Sequence, residues 1–288
     1  MRIPNNLKAK FIKEAIKNGM KVLTLDAETS HMIVRTFYIG QKVSIQHTQV
    51  KVPTKVITIQ YKWMHEKKPK YLEWDKVSNK YDDARNFDDS SMIEEFVTGV
   101  LAKADIIIGQ NSDGFDIKVL NERAKELHLT PLDQKPSIDI LKLSRKSVKA
   151  ASHKLDYRSA QQGLGGKIKM IDQDWVDIEE NNRSVKKKMV PYGLKDVTDT
   201  EQLFWDELPY YKDLPTSVEK VILTFLNLPD IKGVLPQKKQ ATLATIEKRK
   251  LQCIKCIKKR YPSYDTKILK NKVEVRCNRC NYVWRLKK

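Results

Sequence analysis

The stretch Val22–Thr29 constrains the fold more than any other part of this sequence. It reads VLTLDAET, an apolar run that ends in two acids one residue apart. Such a run predicts a central strand that is buried on both faces. Because side chains alternate along a strand, Asp26 and Glu28 point the same way, and adjacent carboxylates repel each other unless a cation lies between them. The pair predicts a divalent-metal site if further carboxylates join it, and otherwise a solvated strand face.

Two segments that follow this strand are rich in β-branched and aromatic residues. They cover residues 33–39 and 55–63, and Gly40 and Pro53 lie between them. Both segments are predicted to be antiparallel strands beside the first one. Ahead of the first strand, residues 5–18 place apolar side chains on one helical face, which predicts a lead-in helix.

A helix, a strand and a second helix are predicted next. Ser91 and Glu94 have the spacing of a capping box, and apolar residues at helical intervals follow them. Ile106–Ile108 is a short apolar strand that ends at Gly109, and the segment 117–127 again has helical spacing. The order strand, strand, strand, helix, strand, helix predicts an α/β fold in which helices cover a mixed sheet.

Two later acids could complete a site with the pair on the first strand. Asp116 falls in the first turn of the helix that follows the second apolar strand, where an acid also stabilises the helix dipole by about 0.3–1 kcal/mol. Tyr192 and Asp196 are four residues apart, so they share one face of a predicted helix. The alternative there is a core tyrosine beside a capping acid.

The charge of the chain is concentrated at its C-terminal end. Lys and Arg exceed Asp and Glu by 19, and residues 231–288 contribute +15 of this, so the first 230 residues carry about +4. Such a charge predicts a polyanionic partner, with nucleic acid ahead of a membrane surface. No stretch has the length and apolarity of a membrane span or a signal peptide, so we expect a cytoplasmic protein without a membrane partner.

The four cysteines follow the pattern C-x₂-C-x₂₀-C-x₂-C, at Cys253, Cys256, Cys277 and Cys280. This is zinc-ribbon spacing, in which four thiolates hold one structural Zn²⁺ ion. Two disulfides are the alternative, but they need an oxidising compartment, which nothing in the sequence indicates. Alternating residues around the second pair predict a hairpin. Arg279 and Trp284 could contact phosphates and bases, or the aromatic ring could cover the small ribbon core.

In this order, the motifs D-x-E, N-x-x-x-F-D and Y-x-x-x-D resemble the three exonuclease motifs of the DEDD superfamily, which has a ribonuclease H-like fold. The histidine of the DEDDh branch is absent, because Pro191 stands at its position, and Tyr192 matches the DEDDy branch. The chain is thus similar to the proofreading domain of family B DNA polymerases. It also resembles stand-alone, phage-type exonucleases with a C-terminal zinc ribbon.

The resemblance implies a 3′–5′ exonuclease acting on DNA, with single-stranded DNA as the expected substrate. Tyr192 would orient the attacking water. Two Mg²⁺ or Mn²⁺ ions would be held by four acids, Asp26, Glu28, Asp116 and Asp196. Asn111 and Phe115 resemble family positions that line the pocket for the strand end. Lys167 lies where some polymerase exonucleases have a catalytic-site lysine, and it is a candidate phosphate contact. Phe115 could equally be a core residue, and Lys167 could be a surface charge.

Other functions remain open at this point. The same acids would suit an RNA-trimming exonuclease or a structure-selective endonuclease. A ribonuclease H-like scaffold could also be a catalytically silent nucleic-acid-binding module, although the intact acid set argues against this.

Three parts are predicted along the chain. A nuclease domain with its lead-in helix covers residues 1–212, a helical basic connector covers 213–250, and the zinc ribbon covers 251–288. The connector begins with a second capping-box pattern at Thr216 and Glu219. The ribbon is a candidate contact for a replication or recombination protein as well as for nucleic acid.

Overall fold

The structure is a computed structural model that describes residues 2–37, 40, 43–74, 88–129, 131–165, 168–180 and 183–228, together with the backbone of strands at 264–269, 272–277 and 283–287. The chain divides into two compact units, Arg2–Leu228 and Pro229–Lys288. Within the described ranges, no helix combines the length and the apolar character needed to cross a membrane.

The strands described in the first unit are β1 Val22–Thr29, β2 Ile33–Val34, β3 Val50–Val52, β4 Val56–Trp63, β5 Lys70–Glu73, β6 Ile106–Gly109 and β7 Ser137–Asp139. Its α-helices are α1 Lys8–Lys17, α2 Ser90–Glu94, α3 Asp116–Glu126, α4 Ile140–Ser147, α5 Leu155–Gln161, α6 Asp172–Glu179, α7 Arg183–Glu207 and α8 Thr216–Phe225. Helix α2 continues as a π-helical segment, Glu95–Val100, and a 3₁₀ turn, Leu101–Lys103.

Five strands form a mixed sheet in the order β5-β4-β1-β6-β7. Strand β1 lies at its centre, antiparallel to β4 and parallel to β6, and β7 continues parallel to β6. The predicted mixed α/β fold, with Val22–Thr29 as its central strand, is confirmed. The C-terminal ends of β1, β6 and β7 meet at one edge, which we call the carboxyl edge of the sheet.

The two faces of β1 differ in character. Leu23 and Leu25 point into the apolar core, where they join Phe96 and Leu120. Because side chains alternate along a strand, the acids of β1 point to the opposite face, and α7 packs there. The alternation that places leucines in the core therefore directs the acids toward α7.

The prediction that the segment 33–39 is a strand beside β1 is wrong for its described residues, 33–37. Of these residues, Ile33–Val34 forms a strand, β2, which pairs with β3 in a separate two-stranded sheet. The Ser30 N–H donates to the Lys55 carbonyl (2.9 Å), and the Lys55 N–H donates to Ser30 Oγ (3.0 Å). These bonds hold the start of β4 against the end of β1. Strand β4, rather than β2, therefore pairs with β1 in the main sheet.

The helix predicted from a capping box with Ser91 as its N-cap has its N-cap two residues earlier, at Asp89. Ser90 is the first residue of α2, and Asp89 before it makes no side-chain cap hydrogen bond. The buried Asp89 carboxylate instead pairs with Arg123 of α3 (Nε···Oδ2 2.8 Å) and accepts a hydrogen bond from the Val56 N–H (2.9 Å). A tertiary ion pair, rather than a local box, accompanies the start of this helix.

The helix predicted from Thr216 and Glu219 is present as α8, but its capping box does not form. Pro215 precedes the helix without a side-chain cap. Glu219 is buried, and its Oε1 accepts a hydrogen bond from the Ile3 N–H at 2.9 Å. The acid is therefore engaged by the N-terminus of the chain, where α8 packs against α1. The predicted part boundaries at 212 and 250 stay a prediction.

The described part of the second unit is a three-stranded antiparallel sheet. Its strands are β8 Tyr264–Leu269, β9 Lys272–Cys277 and β10 Val283–Lys287, in the order β10-β9-β8. The pairing of β9 with β10 is the hairpin predicted around the second cysteine pair. Cys253, Cys256, Arg279 and Cys280 lie outside the described residues, and only the backbone is described for Cys277 and Trp284.

Candidate active site

Gly193 lets α7 approach the sheet closely. A Cβ atom placed on Gly193 would lie 2.3 Å from Gln60 Cδ, which is far inside van der Waals contact. Gln60 is buried on β4 and pairs directly with Asp26 of β1. The contact point therefore brings the Tyr192–Asp196 turn of α7 over the acids of the central strand.

Three carboxylates meet at this point. Asp26, Glu28 and Asp196 each offer an oxygen, and these oxygens lie within 4.8 Å of one another. Asp196 is buried, whereas the two acids of β1 are partly exposed. Among the residues that the structure describes, this is the only such cluster of three or more His, Cys, Asp or Glu side chains. The structure thus brings together the first and third acidic motifs.

Asp116 lies beside this cluster but is not one of its members. It stands in the first turn of α3, and its Oδ1 accepts a hydrogen bond from the N–H of Ala27, the residue between the two acids of β1 (2.9 Å). Burial raises the pKa of Asp116 from 3.8 to about 6, against the opposing backbone hydrogen bonds, and the charge of Asp139 adds to the rise. Asp116 is therefore positioned by backbone and held in a site where a negative charge is unfavourable without a cation.

Tyr192 lies one helical turn before Asp196 on the same face of α7. Its ring is partly buried and packs edge-on against Trp175 of α6, with the ring centroids 6.3 Å apart and the planes at 87°. This contact restrains the ring while leaving part of it exposed.

The turn after β6 carries the residues predicted to meet the substrate. Asn111 has a left-handed backbone (φ 65°), and its N–H donates to Oδ1 of Asp139 (3.1 Å). Asp139 Oδ1 also caps the first turn of α4. Phe115 is exposed, so the alternative of a core residue is wrong and its ring is available at the carboxyl edge. Lys167 lies outside the described residues.

Four residues that build this site were missed by the sequence analysis, namely Gln60, Asp139, Trp175 and Gly193. Gln60 has a signal in the sequence, because Thr58, Gln60 and Lys62 alternate with apolar residues along β4. Gly193 follows the motif tyrosine directly. Asp139 has the local signal of a helix N-cap, but its contact with Asn111 has none. Trp175 has no local signal, since it contacts Tyr192, which is distant in sequence.

The donor set fits a divalent cation. Three carboxylates so close together repel one another, and a cation between them removes this repulsion. Carboxylate oxygens are the ligands of hard ions such as Mg²⁺ and Mn²⁺, and within the described part of the chain no sulfur or imidazole ligand joins this cluster. The partly exposed acids leave the cluster accessible to solvent.

A mixed sheet with clustered carboxylates at the end of its central strand defines the ribonuclease H-like class of metal-dependent nucleases. Within this class, the family model described as DNA polymerase family B, exonuclease domain, matches residues 14–162, more than half of the chain. The chain belongs to this family, and it is a 3′–5′ exonuclease of the DEDD type. Membership implies divalent metal ions, in agreement with the donor set.

One similar solved structure is the family B DNA polymerase from the hyperthermophilic archaeon Pyrobaculum calidifontis, at 21% identity and a TM-score of 0.45. The similarity covers 66% of this chain and 25% of the polymerase chain. The chain thus spans about a quarter of that polymerase. A comparison with curated proteins gives no match.

Proposed function

We propose that this chain removes nucleotides from the 3′ end of single-stranded DNA, using two divalent ions, Mg²⁺ or Mn²⁺. The observation that carries the proposal is the meeting of Asp26, Glu28 and Asp196, whose oxygens lie within 4.8 Å of one another. Family membership supports the exonucleolytic direction and DNA as the substrate. The choice of single strands follows from the resemblance to proofreading domains.

The acids would act as ligands, with Asp26, Glu28 and Asp196 from the cluster and Asp116 completing the set. When bound, the ions activate a water molecule and stabilise the charge on the leaving oxygen. The hydrogen bond from Ala27 to Asp116 (2.9 Å) keeps that carboxylate aligned with the acids on either side of Ala27. Because backbone holds it, Asp116 loses little freedom when it binds a cation.

Tyr192 would orient the attacking water through its hydroxyl, with Trp175 restraining the ring. At the carboxyl edge, the exposed ring of Phe115 is suited to stacking on the terminal base, and Asn111 lies in the same turn. Lys167 would contact a phosphate. The arrangement separates the two tasks, since the carboxylates act on the phosphodiester and the turn after β6 contacts the nucleotide.

Digestion of 5′-labelled substrates tests the proposal. Single-stranded DNA should shorten stepwise from its 3′ end with Mg²⁺ or Mn²⁺, and EDTA should stop the reaction. Duplex DNA and single-stranded RNA of the same sequence serve as comparisons. Faster digestion of RNA than of DNA would show that RNA is the preferred substrate. Cleavage of a circular single strand would show that the enzyme is an endonuclease.

We also propose that the second unit holds one structural Zn²⁺ ion through Cys253, Cys256, Cys277 and Cys280 and contacts nucleic acid through basic and aromatic residues, including Arg279 and Trp284. The spacing of the cysteines supports the zinc assignment. Strand β9 ends at Cys277 and pairs in antiparallel fashion with β10. This hairpin supports the proposal of a zinc ribbon. A protein partner in replication or recombination is the alternative contact for this unit.

Zinc removal should unfold the second unit alone. Structural zinc supplies apparent binding free energies of about 10–16 kcal/mol in small domains, so Cys277→Ser should lose the metal and the protease resistance of residues 251–288. Asn278→Ser, which changes a neighbour that is not a thiolate, is the matched control. Metal analysis should find one zinc per native chain. A native chain with much less than one zinc would contradict the assignment.

The charged C-terminal region should dominate the salt dependence of DNA binding. Residues 231–288 carry +15, whereas the first 230 residues carry about +4. Each phosphate contact to a single strand contributes a slope of about −0.7 in log K against log[salt]. Deleting residues 237–288 should therefore flatten the slope by more than about one unit, with little change in the cleavage of a saturating short oligonucleotide.

A matched control for the deletion removes two exposed cations from the first unit. The double variant Lys67→Gln, Lys68→Gln should keep the slope of the intact chain, because neither lysine belongs to the charged region. If the deleted and intact chains bind DNA with the same affinity and the same salt slope, the second unit does not bind DNA and contacts a protein partner instead.

A further inference from the structure

The segment between β1 and β4 leaves the main sheet beside the acid cluster. Its described residues, 31–37 and 43–52, include β2 and β3, and we call them the β2–β3 arm. The hydrogen bonds between Ser30 and Lys55 (2.9 and 3.0 Å) hold the two ends of the segment together. Since Glu28 precedes Ser30 by two residues, the arm starts at the C-terminal end of the strand that carries two of the proposed ligands.

The arm presents apolar side chains to solvent. The exposed ones in its described part are Met32, Ile33, Phe37 and Ile45, and Phe37 is fully exposed at 101% of its reference area. Single exposed apolar residues are ordinary on protein surfaces. Four on one short arm, one of them a fully exposed aromatic ring, are not explained by the core of the protein.

The same stretch of sequence holds the positive charge of the first unit. No Asp or Glu occurs between Glu28 and Glu66, although the chain has 36, and this interval contains five Lys and Arg. Because the first 230 residues carry only about +4, the remainder of that region is close to neutral. On the described arm, Arg35 and Lys51 are both exposed. An exposed aromatic ring together with exposed cations, on a stretch that has no acid of its own, matches the way proteins hold single-stranded nucleic acid.

We infer that the β2–β3 arm is a second binding site for the single-stranded DNA substrate, at which Phe37 stacks on a base and Arg35 and Lys51 contact phosphates. This inference rests on the proposed function for the identity of the strand. The seven steps from Ser30 to Phe37 span at most about 25 Å, so the Phe37 contact lies within reach of a strand whose end is held at the cluster. We therefore expect a strand of several nucleotides to gain affinity from the arm, and a mononucleotide held at the cluster to gain none.

Direct binding tests the arm without catalysis. Fluorescence anisotropy of a labelled 20-nucleotide oligo-dT with the full chain in EDTA should show a roughly ten-fold higher Kd for Phe37→Ala, within the range found for losing one base–aromatic stack. Phe37→Trp should restore binding. Tyr210→Ala is the matched control, because Tyr210 is also exposed but follows the far end of α7, whose Glu207 lies about 16 Å along the helix from Asp196.

Cleavage separates this inference from the proposed function. With Mn²⁺, Phe37→Ala should raise KM about ten-fold for the 20-mer and leave kcat/KM unchanged for p-nitrophenyl thymidine 5′-phosphate, a substrate too small to reach the arm. If Phe37→Ala binds the 20-mer as tightly as Tyr210→Ala does, the arm is not a DNA site and its apolar surface serves a protein contact. If the wild-type chain binds the 20-mer but does not cleave it, the proposed function is wrong. The Kd values of Phe37→Ala and Tyr210→Ala would still show whether the arm binds DNA.

Discussion

Asp116→Asn should reduce DNA cleavage by at least about 1,000-fold while stabilising the metal-free protein at pH 7. The loss of activity follows from the proposed role of Asp116 as a metal ligand, because an amide carries no charge to hold a cation. Metal catalysis supplies several kcal/mol to the transition state, and a loss of about 4 kcal/mol corresponds to about 1,000-fold in rate. The measurement is single-turnover digestion of labelled single-stranded DNA.

The gain in stability follows from the pKa of Asp116, which burial raises from 3.8 to about 6. A carboxyl group with a raised pKa binds its proton more tightly in the folded state. Its contribution to stability is therefore fully present below about pH 4 and is lost as the pH rises through about 6. The shift of about two pH units corresponds to roughly 3 kcal/mol at most. Asparagine keeps the acceptor for the Ala27 N–H and avoids the charge.

Urea unfolding in EDTA at pH 4 and pH 7 measures this effect. The variant and the wild type should be equally stable at pH 4, and the variant should be more stable at pH 7. Glu122→Gln is the matched control, because it removes an exposed carboxylate from the same helix and should change neither activity nor stability appreciably. Tyr192→Phe should retain more activity than Asp116→Asn. Wild-type cleavage rates for Asp116→Asn would end its assignment as a ligand.

The parts of the site that could be predicted from sequence are those fixed by local pattern. The apolar run before Asp26 determines a buried strand, and strand alternation directs Asp26 and Glu28 to one face. Helical spacing places Tyr192 and Asp196 on one side of α7. Their meeting in space requires the fold, and the resemblance to the DEDD superfamily supplied that step.

The predictions that failed involve residues whose partners are distant in sequence. The capping box predicted at Thr216 requires the Glu219 side chain to accept a hydrogen bond from the first turn of its own helix. Its carboxylate instead accepts a hydrogen bond from the Ile3 N–H. The helix after Asp89 starts beside a buried ion pair with Arg123. Net hydrogen-bond energies of about 1 kcal/mol are similar for local and tertiary partners, so local pattern alone cannot choose between them.

The close approach of α7 to β4 could not be predicted from the sequence, because it depends on two residues from separate elements, Gly193 and Gln60. Gln60 cannot move aside freely: it is fully buried, and its Nε2 donates to Thr58 Oγ1 at 2.6 Å. Thr58 and Gln60 are the β4 partners of Glu28 and Asp26 respectively. Gln60, which lies against Gly193 of α7, is thus a direct neighbour of Asp26 and is bonded to the neighbour of Glu28, so we expect a shift at Gly193 to be transmitted to the cluster.

Gly193→Ala should therefore lower kcat by about 100-fold, although alanine is the better helix former. In a helix interior, alanine is favoured over glycine by roughly 0.5–1 kcal/mol. Here the new Cβ would stand 2.3 Å from Gln60 Cδ, so α7 or Gln60 must move. Overpacking of this kind costs about 1–3 kcal/mol, and a displacement of about 1 Å in a catalytic group can reduce the rate about 100-fold. Steady-state kinetics and thermal unfolding measure the two effects.

Gly99→Ala is the matched control, because Gly99 lies in the helical segment Glu95–Val100 and a Cβ atom placed on it would have no atom within 4 Å apart from its chain neighbours and the backbone of its own helix. It should be as active as the wild type and no less stable. The double variant Gly193→Ala, Gln60→Ala should recover activity relative to Gly193→Ala, since the shorter side chain removes the clash. If Gly193→Ala instead behaved like Gly99→Ala, the close contact would not position Asp196. Recovery in the double variant would show that the glycine is required for the distance between α7 and the central strand, and that this distance sets the geometry of the carboxylates.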